Sequence, residues 1–412
     1  MKLLIVSSDG YPVVRVDVSV LFGEELAGRG HTIDWLLQSE TACEKAYATP
    51  WGGGTVWVGP TDLRDSRFHR IRKHFLGIVH DLKLFSLMRK GQYDAIEVKD
   101  KFISGVTGLI AARLTGKRFL YWLSFPFAES YLIRARDGTA RYPLLYLIRG
   151  WVFKVLLYRI LLPAADHVFV QSEQMRKDVA AQGVPMSKTT AVPMGIRVGT
   201  FAELPAAPKR TVIPEGEPAI VYLGAISRVR RMDFMVRVLA DVLKRVPDAK
   251  LYLVGGGDHP DDERVLIEEA DRLGVRKSLV MVGQLPQLQA LRYAQEADVC
   301  VSPIFPTPIF HCASPTKLVE YMALGKAVVA NDHPEQRLVI AESGAGYCVP
   351  WEEPAFAEAI VKLLNASPAQ RAEMGERGRR YAIQHRSYAV IADLVERTLI
   401  EAVPTREAGS AA

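Results

Sequence analysis

The sequence predicts an α/β protein built from two doubly wound domains that face a central cleft. Three observations support this prediction. Apolar, strand-like runs alternate with amphipathic helical stretches along the 412 residues, this rhythm restarts after a proline-rich break, and the strand-like runs are continuously apolar. Continuous apolar strands are typical of sheets covered on both faces, and a β-α-β rhythm implies parallel strands with right-handed crossovers.

The first domain is predicted to span residues 1–198. Its strands are expected at residues 2–7, 32–37, 95–98, 118–123, 167–171 and 190–192, with helices between them that include 17–28 and 104–114. Ligands of doubly wound sheets bind outside the carboxyl ends of the strands. The residues that follow these strands are therefore the first candidates for ligand contact.

The second domain is predicted to span residues 219–385. Its strands are expected at residues 219–223, 250–254, 278–282, 298–302, 327–330 and 346–349. Residues 199–218 contain four prolines and little apolar periodicity, so they are interpreted as a linker. A helix over 386–401 is expected to pack back on the first domain, and 402–412 is expected to be a frayed tail. The cleft between the two domains is the predicted ligand site.

The charge is divided unevenly between the two halves. The chain is 49% hydrophobic and 24% charged, with a net charge of +6. Residues 1–200 contain 27 Lys and Arg against 18 Asp and Glu, whereas residues 201–412 contain 25 against 28. A basic half joined to a mildly acidic half suggests that the two halves meet different partners.

Several classes of protein are disfavoured. The apolar start at residues 3–6 is too short for a secretory signal, and the longest uncharged run, 299–316, contains four prolines and cannot form a spanning helix. The four cysteines have neither metal-site spacing nor the look of a disulfide framework, which favours the reducing cytoplasm. No Gly-x-Gly-x-x-Gly follows the first strand, so a dinucleotide oxidoreductase is disfavoured.

The segment 314–325 predicts a phosphate-binding helix start. Ser314 suits the N-cap, Pro315 suits the first helical position and Gly325 ends the helix. Lys317 falls in the first turn, where a cation is unfavourable beside the positive end of the helix dipole. A bound anion would resolve this conflict. A solvated lysine on an ordinary helix is the alternative.

A second cationic cluster, Arg228, Arg230 and Arg231, follows the first strand of the second domain. Guanidinium groups in such a loop match phosphate oxygens, although a plain surface charge run is also common. Together with Lys317 they favour a nucleoside diphosphate. The glycine run 255–257 would let backbone approach a ligand, and segment 283–286 would place backbone groups near a base.

A series of ordered fragments resembles the retaining glycosyltransferases of the family 4 type, which have the GT-B fold of two Rossmann-like domains. The fragments cover most of the chain and are found at residues 9–12, 28–31, 165–173, 192–196, 222–224, 254–257, 314–317 and 320–330. The resemblance implies transfer of a sugar from a UDP- or GDP-linked donor with retention at the anomeric carbon. It implies no cofactor and no metal, because positive side chains stabilise the charge of the leaving diphosphate.

The resemblance also implies which residues serve the donor. Glu320 would hydrogen-bond the ribose, Arg230 or Arg231 would neutralise the diphosphate together with Lys317, and Arg228 would substitute for an arginine that Ala225 replaces. The implied donor-binding set is Gly224, Gly255, Gly256, Gln284, Leu285, Ser314, Thr316, Lys317 and Glu320. Cys312 stands where the family has the first acid of its Glu-x7-Glu motif, which leaves room for a changed donor sugar, a displaced acid or an inactive chain.

Three functional hypotheses therefore remain open. The leading one is a hexosyltransferase of polysaccharide, lipopolysaccharide or glycolipid biosynthesis that acts on a glycan or lipid-linked acceptor. The others are a nucleotide-sugar epimerase on the same fold and a non-catalytic, nucleotide-sugar-binding partner subunit. The resemblance implies a front-face route in which the leaving phosphate helps to deprotonate the acceptor, so that the protein supplies alignment and charge stabilisation.

Acceptor contacts are expected at strand ends of the first domain. The candidates are Asp9, Gly10, Asp100, Lys101, Ser124 and Glu129. Loop packing is the alternative for Ser124 and Glu129. Asp9 and Gly10 end the first strand, whereas Asp100 and Lys101 follow the strand at 95–98, and all of them would therefore lie at one edge of the sheet.

Two basic segments, 64–90 and 142–162, mix Lys and Arg with aromatic and aliphatic residues. This mixture is typical of interfacial helices, and each cation near an anionic leaflet contributes about 1 kcal/mol. They predict a cytoplasmic enzyme that lies on the inner membrane face. The alternative is that both helices pack in the first domain with a solvated basic face. Nucleic acid is not expected as a partner, because no nucleic-acid-binding signature accompanies the charge.

Overall fold

The computed structural model describes residues 1–62, 64, 66–202, 204 and 210–403. Residues 203 and 205–209 of the predicted linker and the tail from residue 404 lie outside the described part. So do residue 65 of the first basic segment and the side chains of Arg67, Phe68, Arg70 and Ile71. The chain divides into two compact units. Unit 1 contains Met1–Pro193 and the segment from Tyr388 onward, and unit 2 is Met194–Ser387.

Within the described residues, unit 1 contains an eight-stranded sheet in the order β3-β4-β2-β1-β5-β6-β7-β8. Neighbouring strands run parallel except for the pair of β3 and β4. The strands are β1 (Lys2–Tyr11), β2 (Thr32–Ser39), β3 (Tyr47–Trp51), β4 (Gly54–Gly59), β5 (Ala95–Lys99), β6 (Arg118–Leu123), β7 (His167–Val170) and β8 (Thr189–Ala191).

The sequence reasoning missed the β3–β4 hairpin. These two strands pair antiparallel at the edge of the sheet, and Gly52 and Gly53 between them have φ angles of +57° and +76°. Two consecutive residues with positive φ are typical of the type I′ turn that joins hairpin strands. The Gly52-Gly53 pair, which follows a strand with aromatic residues at both ends, is the sequence signal that predicts this hairpin.

The helices of unit 1 lie between the strands, as the β-α-β rhythm predicts. The region predicted as a helix at 17–28 is a short α-helix followed by a π-helical stretch, Leu21–Leu26. The helices are α1 (Val16–Ser19), α2 (Arg67–Asp81), α3 (Lys83–Lys90), α4 (Phe102–Thr115), α5 (Phe127–Arg136), α6 (Pro143–Val155), α7 (Leu162–Ala164) and α8 (Glu173–Ala181).

In the described part of unit 2, a six-stranded parallel sheet has the order β11-β10-β9-β12-β13-β14. Its strands are β9 (Ala219–Leu223), β10 (Lys250–Val254), β11 (Leu279–Gly283), β12 (Val299–Ser302), β13 (Val328–Asn331) and β14 (Gly346–Val349). Its helices are α9 (Val198–Ala202), α10 (Asp233–Leu243), α11 (Pro260–Arg272), α12 (Gln287–Glu296), α13 (Thr316–Ala323), α14 (Pro334–Ser343), α15 (Glu353–Asn365) and α16 (Pro368–Arg386). The two parallel-sheet α/β domains confirm the predicted fold class.

The boundary of the units differs from the predicted one at residue 198. Unit 2 begins at Met194, because the Ile196 N–H donates to the Arg386 carbonyl at 2.8 Å and joins the chain to the end of α16. Residues 210–218, the last part of the predicted linker, also belong to unit 2. Arg210 forms an ion pair with Asp298 there at 2.7 Å.

The last helix, α17 (Tyr388–Ala402), belongs to unit 1. Its apolar face, which includes Ile391 and Val395, lies in the same buried core as β1 and β2. Arg29 adds ion pairs to Asp393 at 2.6 Å and to Glu396 at 2.8 Å. No helix among the described residues is long and apolar enough to span a bilayer.

Candidate nucleotide-sugar site and strand-end network

The candidate donor residues of unit 2 gather at the carboxyl ends of its strands. The loops that follow β9, β10 and β11, and the loop from β12 to α13, all leave this edge because the strands are parallel. α13 is tied to β9 by a hydrogen bond from the Leu223 N–H to the Tyr321 hydroxyl at 2.7 Å. This bond places the first turn of α13 beside the end of β9.

Ser314 does not cap this helix, so that prediction was wrong. α13 begins at Thr316 with Pro315 at the N-cap and no side-chain cap. The Ser314 hydroxyl instead accepts a hydrogen bond from the Met194 N–H at 2.9 Å. The first-turn N–H groups of α13 therefore keep their capacity to bind an anion. Gly325 ends the helix as predicted, with a φ of +68°.

The Lys317 side chain is half-buried and lies against β9. Its ammonium donates to the Tyr222 hydroxyl at 2.9 Å and lies 4.1 Å from the centroid of the Tyr222 ring. A Cβ built on Gly224 would lie 3.2 Å from the Lys317 Nζ, so the glycine leaves room for this side chain. Burial lowers the pKa of Lys317 well below its usual range, and Arg230 lowers it further, while Glu320 raises it.

Arg230 is the second cation beside the first turn of α13. Its guanidinium lies 5.8 Å from the Phe310 ring centroid. Among the described residues, no carboxylate lies within ion-pair distance of either Arg230 or Lys317. Two neighbouring cations without a carboxylate partner repel one another, and an anion bound between them would offset this repulsion.

Arg228 and Arg231 are differently placed. Arg231 has a left-handed φ of +53° and directs its guanidinium to Asp233 at 3.1 Å and 3.2 Å. Arg228 is exposed and lies 3.8 Å from Asp262. Of the three arginines, Arg230 is therefore the one that joins Lys317, and the other two are engaged by acidic side chains.

Glu320 lies one turn after Lys317 on α13. Gln287, the first residue of α12, donates its amide to the Glu320 carboxylate at 3.4 Å. Burial raises the pKa of Glu320, while the hydrogen bond from Gln287 and the charge of Lys317 act in the opposite direction. Glu320 therefore lies at the same site as Lys317 and Arg230, and its carboxylate oxygens can accept a hydrogen bond from a ligand.

The glycines that follow β9 and β10 pack against each other. Gly255 has a φ of +150°, and a Cβ built on it would lie 2.1 Å from the Gly224 carbonyl oxygen. Gly256 is open, since its nearest neighbour would be Gln284 at 3.6 Å. Gln284 is exposed and Leu285 is half-buried at the end of β11. The strand-end loops therefore present mainly backbone.

The loop that contains Cys312 is anchored from β13. Cys312 is buried, and its thiol donates to the Ile309 carbonyl. His333 forms a hydrogen bond through its Nε2 to the Phe310 carbonyl at 2.8 Å. Asn331 accepts from the Ile304 N–H at 2.6 Å and donates to the Ile304 carbonyl. Position 312 thus contributes a buried thiol rather than a carboxylate.

Unit 1 has a charged network at the ends of β1 and β5. Lys99 is only 1% exposed, and its ammonium lies 2.8 Å from Asp9 and 3.6 Å from Asp17. Arg15 makes two hydrogen bonds to Asp17, at 3.0 Å and 2.8 Å. Burial alone would raise the pKa of Asp9, but Lys99, Ser7 and Arg15 hold it below its ordinary value.

Asp100 and Ser124 join the ends of β5 and β6. The Ser124 N–H and hydroxyl both donate to the Asp100 carboxylate, the first at 2.8 Å. Asp100 has a φ of +59° and lies 4.0 Å from Lys99, which adds this pair to the network of Asp9. Burial raises the pKa of Asp100, opposed by Lys99 and Ser124.

The other three acceptor candidates, Lys101, Gly10 and Glu129, are less closely associated with the network of Asp9, Lys99 and Asp100. Lys101 pairs with Asp81 at the end of α2, at 2.7 Å. Gly10 lies against the side chain of Glu40, where a Cβ would come within 2.0 Å. Glu129 lies in the first turn of α5 and has a buried Oε2 without a hydrogen-bond partner among the described residues.

The second basic segment has an exposed apolar face. Gly150 packs on Leu132 of α5, while Phe153 stacks on Phe102 with 4.2 Å between ring centroids. Six residues on the outer face of α6 are between 48% and 70% exposed: Leu144, Leu145, Ile148, Trp151, Val152 and Val155. Their spacing covers one side of a helix. Most of the aromatic residues turn inward, and mainly aliphatic residues form the outer face.

Two family models match the chain along most of its length. The model described as "Glycosyl transferase 4-like domain" matches residues 20–195, and that described as "Glycosyl transferases group 1" matches residues 217–366. The two matches fall on unit 1 and unit 2 in turn. The chain belongs to the GT-B glycosyltransferases of the family 4 type. The resemblance inferred from the fragments is thereby confirmed.

Curated glycosyltransferases of this family are similar to parts of the chain. An alpha-monoglucosyldiacylglycerol synthase of Streptococcus pneumoniae is 26% identical over 69% of this chain and 62% of its own length. A phosphatidyl-myo-inositol mannosyltransferase of Mycolicibacterium smegmatis is 32% identical over 43% of each chain. The match thus spans about half the length of these relatives.

A solved structure matches the GT-B glycosyltransferase fold of the whole chain. Sucrose-phosphate synthase of Thermosynechococcus elongatus superposes with a TM-score of 0.73 at 21% identity, over 98% of this chain and 100% of that one. At this level of identity the likeness supports the fold alone.

Sequence reasoning missed four residues of these two networks: Tyr222, Gln287, Lys99 and Arg15. Tyr222 precedes Gly224 in a fragment that was noticed for its glycine, and Lys99 precedes the candidate Asp100. A lysine at the end of a buried apolar strand was the available signal for Lys99, because such a charge needs a partner. Within the described ranges, no group of three or more His, Cys, Asp or Glu is arranged to hold a metal ion.

Proposed function

We propose that the chain is a retaining, metal-independent hexosyltransferase that transfers a sugar from a UDP- or GDP-linked donor to a lipid-linked or glycan acceptor. Unit 2 binds the donor and unit 1 binds the acceptor. The observation that carries this proposal is the pair of Lys317 and Arg230, placed beside the uncapped start of α13. A diphosphate is the common ligand that satisfies two cations and free backbone N–H groups together.

The same residues supply what glycosyl transfer requires. As the bond from the sugar to the diphosphate breaks, negative charge grows on the leaving oxygen, and Lys317 and Arg230 stabilise it. Glu320, held by Gln287, accepts a hydrogen bond from a ribose hydroxyl and fixes the nucleotide. The leaving phosphate takes the proton of the acceptor hydroxyl, and the acceptor oxygen bonds to the anomeric carbon on the face that the phosphate leaves, which retains the anomeric configuration.

The acceptor proposal depends on unit 1. Asp9, Lys99 and Asp17 form a mostly buried charged network at the strand ends of unit 1, and this network orders the edge at which sugar or polyol hydroxyls would bind. Two relatives are named for a diacylglycerol glycolipid and for phosphatidyl-myo-inositol. A lipid acceptor in glycolipid biosynthesis is therefore favoured over a soluble glycan.

The membrane proposal rests on α6. Its outer face exposes six apolar side chains, and Arg141 and Arg149 are exposed beside them. An apolar helical face flanked by arginines lies at the boundary of headgroups and acyl chains, with the cations near anionic lipid. His74 on α2 lies near Arg149, because this guanidinium adds to the lowering of the His74 pKa by burial. α2 therefore adds to the same surface, on the cytoplasmic side of the inner membrane.

Turnover of donors tests the catalytic proposal. A thermal-shift screen against UDP, GDP and their hexose conjugates should identify a donor that raises Tm. With that donor, slow release of nucleoside diphosphate supports transfer chemistry, and an α-linked product from an α-linked donor establishes retention. Binding without turnover in the presence of diverse lipid acceptors would favour the partner subunit instead, to which the thiol of Cys312 in place of an acid would be suited.

Liposome flotation tests the membrane proposal. The protein should float with vesicles that contain phosphatidylglycerol at low salt, and less with purely zwitterionic vesicles, because the arginines contribute electrostatic attraction. Failure to float with either kind of vesicle would contradict the proposal.

A further inference from the structure

Tyr222 stands out among the buried groups that the proposed chemistry does not use. It lies at the centre of the unit 2 sheet, and its side chain is fully buried. Its hydroxyl donates to the Ala225 carbonyl at 2.9 Å. Because its one proton is committed there, the hydroxyl oxygen offers a lone pair to the Lys317 ammonium, 2.9 Å away.

The surroundings of the Lys317 ammonium make this contact important. The ammonium lies 4.1 Å from the centroid of the Tyr222 ring, and a Cβ built on Gly224 would come within 3.2 Å of it. The charged groups that face Lys317 are Arg230, in the turn after β9, and Glu320, on its own helix. Of these two groups, Glu320 favours the charged form of Lys317. Its carboxylate does not lie within ion-pair distance of the Lys317 ammonium.

We propose that Tyr222 is a positioning residue that holds the Lys317 ammonium, charged and in place, for the diphosphate of the donor. The inference rests on the proposed donor site. The aromatic face attracts the cation and the hydroxyl accepts one of its three N–H bonds. The two remaining N–H bonds stay available to phosphate oxygens. Tyr222 itself does not touch the reacting atoms.

The substitution Tyr222→Phe separates these roles, since it keeps the ring and removes the hydroxyl. Burial and Arg230 already disfavour the charged form of Lys317, so the loss of an acceptor favours the neutral amine still more. A neutral amine binds phosphate weakly. Affinity for the diphosphate should therefore fall about tenfold at high pH and less at low pH, because protonation of Lys317 is favoured as the pH falls.

Calorimetric titration of UDP and of GDP, at about pH 6 and about pH 9, measures this pH dependence. The variants are Tyr222→Phe, Lys317→Ala and the double variant. We expect the double variant to bind no more weakly than Lys317→Ala alone, because Tyr222 acts through Lys317. Tyr252→Phe is the matched control: Tyr252 is a buried tyrosine on the neighbouring strand β10, and its hydroxyl donates to Glu217.

The possible outcomes distinguish the proposed donor site from the proposed role of Tyr222. If neither UDP nor GDP binds the unaltered protein, the proposed donor site is wrong. If one of them binds and Tyr222→Phe leaves its affinity unchanged at both pH values, the role of Tyr222 is refuted. An equal loss at both pH values, or a further loss in the Lys317→Ala background, would show that Tyr222 only supports the loop through Ala225.

Discussion

Gly255 approaches Gly224 so closely that a Cβ on Gly255 would lie 2.1 Å from the Gly224 carbonyl oxygen. The contact joins the ends of β9 and β10, and Gly255 also donates its N–H to Gly283 at 2.9 Å, which joins β11. Three strand ends of the proposed donor site are thus held together by backbone alone. A side chain has no room between them.

This contact predicts different effects for two adjacent glycines. Gly255→Ala should lower the free energy of unfolding by about 2–5 kcal/mol, because it adds a clash with backbone to a φ of +150°. Gly256→Ala should change it by no more than about 0.5 kcal/mol, since its nearest neighbour would be 3.6 Å away. Urea unfolding of the two variants measures both values. Equal losses would contradict the packing described.

Lys317→Ala should weaken the binding of the nucleoside diphosphate by about tenfold to a hundredfold, because a charged hydrogen-bond donor is removed from a half-buried site. The thermal shift produced by the donor should fall accordingly, and Glu320→Ala should also reduce it. Lys244→Ala is the matched control, since Lys244 is exposed and pairs with Asp241 on α10. A full thermal shift in both Lys317→Ala and Glu320→Ala would refute the placement of the donor.

Glu97 should make unit 1 less stable as the pH rises. Both of its carboxylate oxygens are buried without a hydrogen-bond partner among the described residues, and burial raises its pKa to about 8 from the ordinary value of 4.5, opposed by Lys99. Between these two values the folded state binds more protons than the unfolded state, so stability falls by up to about 1.4 kcal/mol for each pH unit.

The substitution Glu97→Gln tests this pH dependence. The amide cannot ionise, so the difference in unfolding free energy between Glu97→Gln and the unaltered protein should grow in favour of the variant from about pH 5 to about pH 8. Chemical unfolding at several pH values provides the comparison. A difference that does not change with pH would contradict a raised pKa for Glu97.

The apolar face of α6 predicts the effect of charge on membrane binding. Ile148→Glu combined with Val152→Glu should reduce flotation with anionic vesicles by at least about tenfold, because two aliphatic contacts with the acyl chains are lost and two negative charges are added. Both positions are more than half exposed, so the fold should be kept. Ile400→Glu, at an exposed position of α17, is the control and should float like the unaltered protein.

The repeating β-α rhythm and continuous apolar strands were sufficient to predict both parallel sheets, including β6, β9, β10 and β14 with their exact bounds. The β3–β4 hairpin was not predicted because β3 lies exposed at the edge of the sheet and contains Pro50, so it lacks the continuous apolar run of a buried strand. Ser314 was assigned as a cap because the residue type is suitable, but its hydroxyl is used by Met194, 120 residues away. Local propensity cannot anticipate such a long-range competitor.

By itself the sequence determined the fold class, the two halves and the family, because periodicity and the glycines, prolines and charges of the motifs are local properties. Only the tertiary structure decided which cations act together. It directs Arg231 to Asp233 and leaves Arg230 beside Lys317, and it encloses Lys99 among Asp9, Asp17 and Asp100. These choices depend on which elements lie side by side after folding, and burial then sets whether each charge needs a partner.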